Sequence, residues 1–216
     1  MAAQLRVFVP PHPLIHHWLG VARDQDTPTA LFRTAMTELG RWLTYEAARD
    51  WLPSLEVQVD TPLGTTPAQF VNPEVPIAIV PVLRAGLALL DGAQSLLPLA
   101  SIYHLGFVRN ETTLDARCYL NRLPERFAAE TRVLISEPML ATGGTMMAVM
   151  AELVQRGVDP ALVRIISVVT APPALQKLAP AYPALNIYAA AIDEGLNDQG
   201  FIVPGLGDAG DRTFGT

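Results

Sequence analysis

Between Arg132 and Met150 the chain reads RVLISEPMLATGGTMMAVM: an apolar run, then an acid, then a loop of small residues. Val133, Leu134 and Ile135 have the composition of a strand buried on both faces of a parallel sheet. Glu137 stands where that strand should end. Ala141-Thr142-Gly143-Gly144-Thr145 then opens a helix that Met146, Met147, Val149, Met150 and Leu153 carry forward. The first turn of a helix presents unpaired N–H groups and a partial positive charge. Two glycines let an anion approach that backbone and two threonines add hydroxyls, which makes the loop a candidate phosphate cradle. A carboxylate beside the cradle would repel phosphate but suits sugar hydroxyls, so the pair together points to a ribose 5-phosphate. The plainer alternative is a glycine-rich turn with no ligand; the acid and both threonines weigh against it.

Arginines stand at two equivalent places. Arg84 follows the apolar run 77–82 within Val82-Leu83-Arg84-Ala85-Gly86, and Arg109 follows the run 101–108. A guanidinium forks two N–H groups onto paired phosphate oxygens. One arginine in a turn is an ordinary surface residue, whereas two in matching positions suggest a diphosphate site. Asp193 also falls just after an apolar run, so Arg84, Arg109, Glu137 and Asp193 are expected to converge.

Gly205-Leu206-Gly207-Asp208-Ala209-Gly210 fits the letters of a dinucleotide-binding fingerprint. That fingerprint needs a helix and a further strand after it, and six residues after Gly210 leave no room for them. The glycines are expected instead to shape an irregular loop whose backbone faces a ligand. Phe201, Ile202, Val203 and Leu206 are too apolar for a solvated tail. His12, His16, His17 and His104 show no metal-ligand spacing, and capping or core roles are expected of them. Cys118, the one cysteine, excludes an internal disulfide and is expected to be a small, partly buried hydrophobe.

These groups need a scaffold that brings strand ends together. Strands are expected at 77–82, 101–108, 133–136, 164–169 and 187–192, with helices at 87–97, after 141 and at 173–178. Such alternation predicts an α/β fold: a mostly parallel central sheet, helices on both faces and ligands at the carboxyl ends of the strands. Upstream, Thr27 as cap and Pro28 in the first turn open a helix in which Leu31, Phe32, Ala35, Leu39, Trp42, Leu43 and Ala47 recur at helical spacing. Val57 and Val59, the turn Pro62-Leu63-Gly64 and the run 68–71 predict a β-hairpin. Residues 110–131 are more polar and are expected to form a loop or hairpin flap. The 216 residues are expected to form one domain, with an N-terminal helical arm over about 1–26 and a ligand-facing loop over about 193–216.

With 15 basic and 21 acidic residues the net charge is −6, which argues against a nucleic-acid surface and leaves any polyanionic substrate to individual arginines. No basic-then-apolar leader is seen near Met1. The apolar run 77–90, broken by Pro81 and Arg84, falls short of the ~20 residues that span a bilayer. A cytoplasmic protein is expected.

Val80-Pro81-Val82-Leu83-Arg84-Ala85-Gly86, Pro138-Met139-Leu140-Ala141-Thr142-Gly143-Gly144-Thr145 and Pro204-Gly205-Leu206-Gly207-Asp208-Ala209-Gly210-Asp211-Arg212 together resemble the uracil phosphoribosyltransferase family. The likeness runs from about His12 to Thr216. Residues 102–106 and 119–124 resemble its plant and cyanobacterial branch. The resemblance implies a type I phosphoribosyltransferase-like fold. It implies transfer of the 5-phosphoribosyl group from 5-phosphoribosyl 1-diphosphate (PRPP) to uracil, giving UMP and diphosphate in pyrimidine salvage. By the same resemblance Arg84 and Arg109 hold the diphosphate. Glu137, Pro138, Met139, Leu140, Ala141, Thr142, Gly143, Gly144 and Thr145 hold the ribose 5-phosphate. Ile202, Gly207, Asp208 and Ala209 read uracil, largely through the backbone. Asp208 also faces PRPP or its Mg²⁺, the metal being carried mainly by PRPP and water. Catalytic roles then fall on Glu137, Asp208, Arg84 and Arg109. GTP binding and a homodimer or larger homo-oligomer come with the family; the N-terminal arm and the 27–51 helix are the expected interface elements. Three positions depart from the family's usual residues: Glu137 and Asn110 stand where aspartate is usual, and Phe201 where tyrosine is. A PRPP- or UMP-binding regulator and a catalytically weakened homologue are the rival readings.

Overall fold

The structure, a computed structural model, describes residues 4–109 and 116–216. It opens with strand β1 (Arg6–Phe8), helix α1 (Pro13–Arg23) and helix α2 (Thr29–Ala48), then the hairpin of β2 (Ser54–Thr61) and β3 (Gly64–Val71). Next come β4 (Ile77–Leu83), α3 (Leu87–Leu96), β5 (Ser101–Ile102), β6 (Leu105–Arg109) and β7 (Ala116–Asn121). The second half contains β8 (Arg132–Ser136), β9 (Met139–Leu140), α4 (Gly144–Gln155), β10 (Val163–Thr170), α5 (Pro172–Ala181) and β11 (Asn186–Ile192). The chain closes with β12 (Gly195–Leu196), β13 (Ile202–Val203) and α6 (Ala209–Phe214).

The main sheet runs β1-β11-β10-β8-β4-β6-β7, with β5 beside β4 and β9 beside β10. Its pairings are parallel except β6 with β7. Two cores explain why the strands are apolar without alternation. Val80, Val82, Val133, Ile135, Ile165 and Ile187 pack on one face against Met146, Val149 and Met150 of α4 and Leu178 of α5. Ile79, Leu134, Ile166 and Ala190 pack on the other face against Ile15 of α1, Phe32, Leu39 and Leu43 of α2 and Leu89 of α3. Successive strand residues point to opposite faces, so burial on both sides demands a continuous apolar run.

Helices α2 and α3 meet at glycines. A Cβ on Gly92 would lie 2.0 Å from the Thr37 carbonyl oxygen, and one on Gly40 would lie 2.3 Å from that of Leu89. The close crossing brings α3 tight under the sheet and fixes where the β4–α3 turn, with Arg84, emerges.

Several sequence expectations are revised. Thr27 does not cap α2: Pro28 holds the cap position, and the Thr27 hydroxyl donates to the Val21 carbonyl at 2.7 Å, securing the α1–α2 turn. Leu31, placed on the apolar face by its spacing, is exposed because that face turns past it. The run 101–108 divides into β5 and β6 around Tyr103 and His104. The segment 110–131 supplies β7, antiparallel to β6, while residues 110–115 lie outside the described residues. The C-terminal tail is not wholly irregular: Asp208 caps α6, with its Oδ1 accepting from the Asp211 N–H at 2.9 Å. Cys118 is exposed on edge strand β7 and not partly buried as expected. His12 does cap α1, its Nδ1 accepting from the Leu14 N–H, and it stacks on Trp42. Among the described residues no helix is long and apolar enough to cross a membrane.

Candidate active site

The loop after β8 surrounds a cavity of about 180 Å³ lined by Glu137, Met139, Leu140, Ala141, Thr142, Gly143, Gly144, Thr145 and Met146. The register explains its place: Pro81 pairs with Ser136 on the neighbouring strand, so β4 and β8 end side by side. The Ser136 hydroxyl donates to the Gly86 carbonyl at 3.1 Å and ties the two loops together. A Cβ on Gly86 would lie 2.4 Å from the Ser136 carbonyl oxygen, so only glycine permits that approach.

Helix α4 starts later than its sequence suggested, at Gly144, with Gly143 at the cap in the left-handed region (φ 78°). Gly143 also abuts Ala174 of α5, where a Cβ would come within 3.0 Å of the Ala174 Cα. Gly144 differs, because a Cβ there would meet nothing nearer than the Thr142 hydroxyl at 3.8 Å. Protein packing does not require glycine at 144; a ligand resting on the backbone would. No side chain caps α4, so its first N–H groups face the cavity with the helix dipole behind them. Pro138, placed in the site by its motif, is not part of the lining. Its carbonyl accepts from Val168 and Val169 N–H groups, which anchors the loop to β10.

Glu137 is half-buried at the floor of this cavity. Its backbone N–H donates to the Ile166 carbonyl, and Oε1 sits 3.5 Å from the Met139 nitrogen. Desolvation dominates its ionisation and pushes the carboxyl up to about 8, with the Met139 N–H pulling weakly the other way. The unfolded carboxyl titrates near 4.5. The folded state therefore holds the extra proton between those values, and stability present below pH 4.5 is lost as pH rises through about 8. Glu137→Gln removes this loss. The substituted protein should match the wild type near pH 4.5 and exceed it at pH 9 by about 1–4 kcal/mol, about 2–16 °C in Tm. Thermal melts at the two pH values check this; parallel profiles would refute the buried-acid assignment.

Arg84 leaves the end of β4 and is exposed. Its Nη2 donates to Asp211 Oδ1 at 2.9 Å, and its guanidinium lies 5.7 Å from the Phe214 ring. Arg84 is thus brought against the first turns of α6, beside Asp208. Arg109 ends β6, whose start pairs with β4; Asn110 lies outside the described residues. Ile202, Leu206 and Ala209 sink their side chains into the core. Val203, Pro204, Gly207 and Asp208 stay exposed on either side of buried Gly205 and Leu206. Gly205 (φ 61°) and Gly207 (φ 76°) turn this loop, and a Cβ on Gly205 would lie 2.1 Å from the Ile202 carbonyl oxygen. Phe201 is exposed beside it.

Asp193 does not join Arg84 and Glu137. It is buried and paired in a two-pronged bond with Arg23 of α1, at 2.5 and 3.0 Å. Its position after a strand was legible in sequence. Its partner, separated by most of the chain, was not. Arg212 and Asp211 are likewise residues whose roles sequence gave no means to assign.

A parallel sheet with an uncapped helix start, an acid and an arginine at adjoining strand ends has the architecture of an enzyme active site. The uracil phosphoribosyltransferase family model matches residues 9–216. A uracil phosphoribosyltransferase of Nostoc sp. is 71% identical over 216 residues, covering all of both chains. That of Nicotiana tabacum is 54% identical over 99% of this chain and 95% of its own. The solved structure of the AQ2163 protein from Aquifex aeolicus, 40% identical, superposes with a TM-score of 0.88 over 96% of this chain and 97% of that one. The chain belongs to the uracil phosphoribosyltransferase family.

Proposed function

We propose that the protein transfers the 5-phosphoribosyl group of PRPP to uracil, giving UMP and diphosphate, a reaction of pyrimidine salvage. The observation that carries this is the family match over residues 9–216, with relatives of that name aligned end to end. The reaction forms a bond between uracil N1 and the anomeric carbon, breaks the bond to diphosphate and releases the N1 proton. Positive charge builds on the ribose and negative charge on the diphosphate. Fixed groups placed where these charges develop are often the largest source of catalysis.

The cradle from Ala141 to Thr145 is assigned to the 5-phosphate, supported by the uncapped helix start and the space above Gly144. Glu137, on the cavity floor, is assigned to the ribose hydroxyls. Its ionised form, disfavoured in the bare cavity, is favoured by positive charge on the ring. Arg84 and Arg109 are assigned to the diphosphate. The backbone of Ile202 and of Gly207 to Ala209 is assigned to uracil, which leaves cytosine mispaired with those groups and can discriminate by roughly 10⁴-fold. Among the described residues no three His, Cys, Asp or Glu side chains gather around a point. Mg²⁺ commonly keeps several waters and takes one or two carboxylates plus substrate phosphates. Asp208 is exposed and has one oxygen unused by protein donors among the described residues, so it suits that part. When bound, Mg²⁺ would neutralise charge on the departing diphosphate. A homo-oligomer fits the exposed Phe8 and Val9 of the arm and Tyr45 of α2.

The test is to incubate the purified protein with uracil, PRPP and Mg²⁺ and follow UMP by chromatography. PRPP binding without UMP would refute the transferase reading and leave a regulator or an inactive homologue. Glu137→Asp bears on the longer acid: kcat is expected to be retained or raised, because the carboxylate moves to the family's usual reach. Loss of turnover by about 10²-fold, the cost of a small misplacement, would mean the cavity is matched to glutamate.

A further inference from the structure

The Pro204–Asp208 loop has no regular hydrogen-bonded structure of its own and two glycines in the left-handed region. A ligand site on such backbone needs outside support to hold its geometry. Polar support comes from three places: Arg23 in the last turn of α1, Asp193 just after β11 and Arg212 in α6. Arg23 Nη1 donates to the Gly205 carbonyl at 2.8 Å, and Asp193 Oδ2 accepts from the Gly205 N–H at 2.9 Å. Arg23 and Asp193 are in turn locked together by their paired bonds. On the next residue, Arg212 Nη1 donates to the Leu206 carbonyl at 2.7 Å. The same guanidinium donates to the carbonyls of Ala22 and Asp24, each at 2.5 Å, and lies 4.3 Å from the Phe32 ring.

We propose that Arg23, Asp193 and Arg212 are positioning residues that set the affinity for uracil by clasping the 204–208 loop to the end of α1. This rests on the reading of Ile202 and Gly207 to Ala209 as the uracil contacts. Attachment of the loop does not require the clasp, because Ile202, Leu206 and Ala209 are already anchored by burial. What apolar anchors leave loose is the orientation of the peptide groups between them. Charge-assisted, forked bonds to both polar atoms of Gly205 and to the Leu206 carbonyl fix that orientation. A base read by backbone groups has no side chain that can re-aim when the peptides tilt, so small displacements fall directly on base binding. The phosphate cradle hangs from β8 and α4 and makes no use of these residues.

Steady-state kinetics with each substrate varied separately decides it. Asp193→Asn keeps an acceptor for the Gly205 N–H but abolishes the charged fork. It should raise KM for uracil by about 10-fold or more and KM for PRPP by clearly less, because Asp208, the loop residue assigned to PRPP and its metal, keeps its separate tie to the Asp211 N–H of α6. Arg23→Lys keeps the charge without the fork and should give a smaller rise for the same substrate. A folded Asp193→Asn protein with unchanged KM for uracil overturns the proposal. So does a loss of Tm and active fraction that leaves both KM values alone, the mark of a structural role only. If Asp193→Asn does not fold, Arg23→Gln at the more exposed end of the pair carries the same test with the same outcomes. A wild type that turns over uracil validates the underlying reading separately; one that makes no UMP overturns that reading and the clasp with it.

Discussion

Arg84→Ala should reduce kcat/KM for PRPP by about 10²–10³-fold, the range seen when a single group facing developing charge is removed, and leave Tm within about 2 °C. The two halves of this expectation come from different features of the residue. Arg84 is more than half exposed, and its pair with Asp211, itself about half exposed, lies on the rim of the site. An ion pair of that kind contributes about 0–1 kcal/mol to folding. The same exposure leaves the guanidinium open to an incoming diphosphate. Asp211 meanwhile holds the side chain against α6, so that it is ordered before the substrate arrives. Rates with varied PRPP and a thermal melt on the same preparation are sufficient. A large fall in Tm would make Arg84 a structural residue. A loss below about three-fold in kcat/KM would remove it from the diphosphate site. Arg84→Lys should recover only part of the rate, because a point charge replaces a two-pronged donor.

Gly92→Ala should destabilise the protein by about 3 kcal/mol or more, lowering Tm by roughly 6–12 °C. By helix propensity alone the change should stabilise by about 1 kcal/mol, since Gly92 lies inside α3. Packing reverses the sign. The added methyl would stand 2.0 Å from the Thr37 carbonyl oxygen and 2.5 Å from the Arg41 nitrogen, both backbone atoms of α2. Neither can move by a side-chain rotation, so the helices must part and release the contacts around Leu89 and Phe32. Gly20→Ala is the internal control. Gly20 is an exposed position within α1 with nothing within 4 Å of its Cβ, so the same substitution should stabilise by about 0.5–1 kcal/mol. Equal shifts from the two variants would mean that α2 and α3 do not cross as closely as described.

The sheet was legible because burial on two faces leaves an unmistakable signature. The runs around Ile79, Leu134 and Ile166 are apolar on both faces but for a few buried polar residues such as Ser136 and Ser167, and strands of that kind pair in parallel with helices on each side. The loop that opens α4 was legible because Gly143, Gly144 and two threonines at a helix start are a local pattern. The short strand β1 was not read, since three residues pairing with β11 carry no periodicity of their own. Thr27 misled because a threonine before a proline looks like a cap wherever it falls. Its hydroxyl instead satisfies the end of the preceding helix, a choice made by where α1 stops.

By itself the sequence determined the order of elements, the sites of backbone approach at glycine and the chemical types gathered near strand ends, all of which depend on neighbours within a few residues. Tertiary structure decided which of those types act together. Glu137 and Asp193 are both acids after apolar strands, indistinguishable by local pattern. One is left in a cavity with its carboxyl pushed up to about 8, and the other is bound to Arg23, 170 residues away. The difference between an acid left unpaired in a cavity and one that holds a loop comes from the long-range partner. A charge with no partner is desolvated and titrates abnormally; a charge with a forked partner is neutralised and becomes part of the frame.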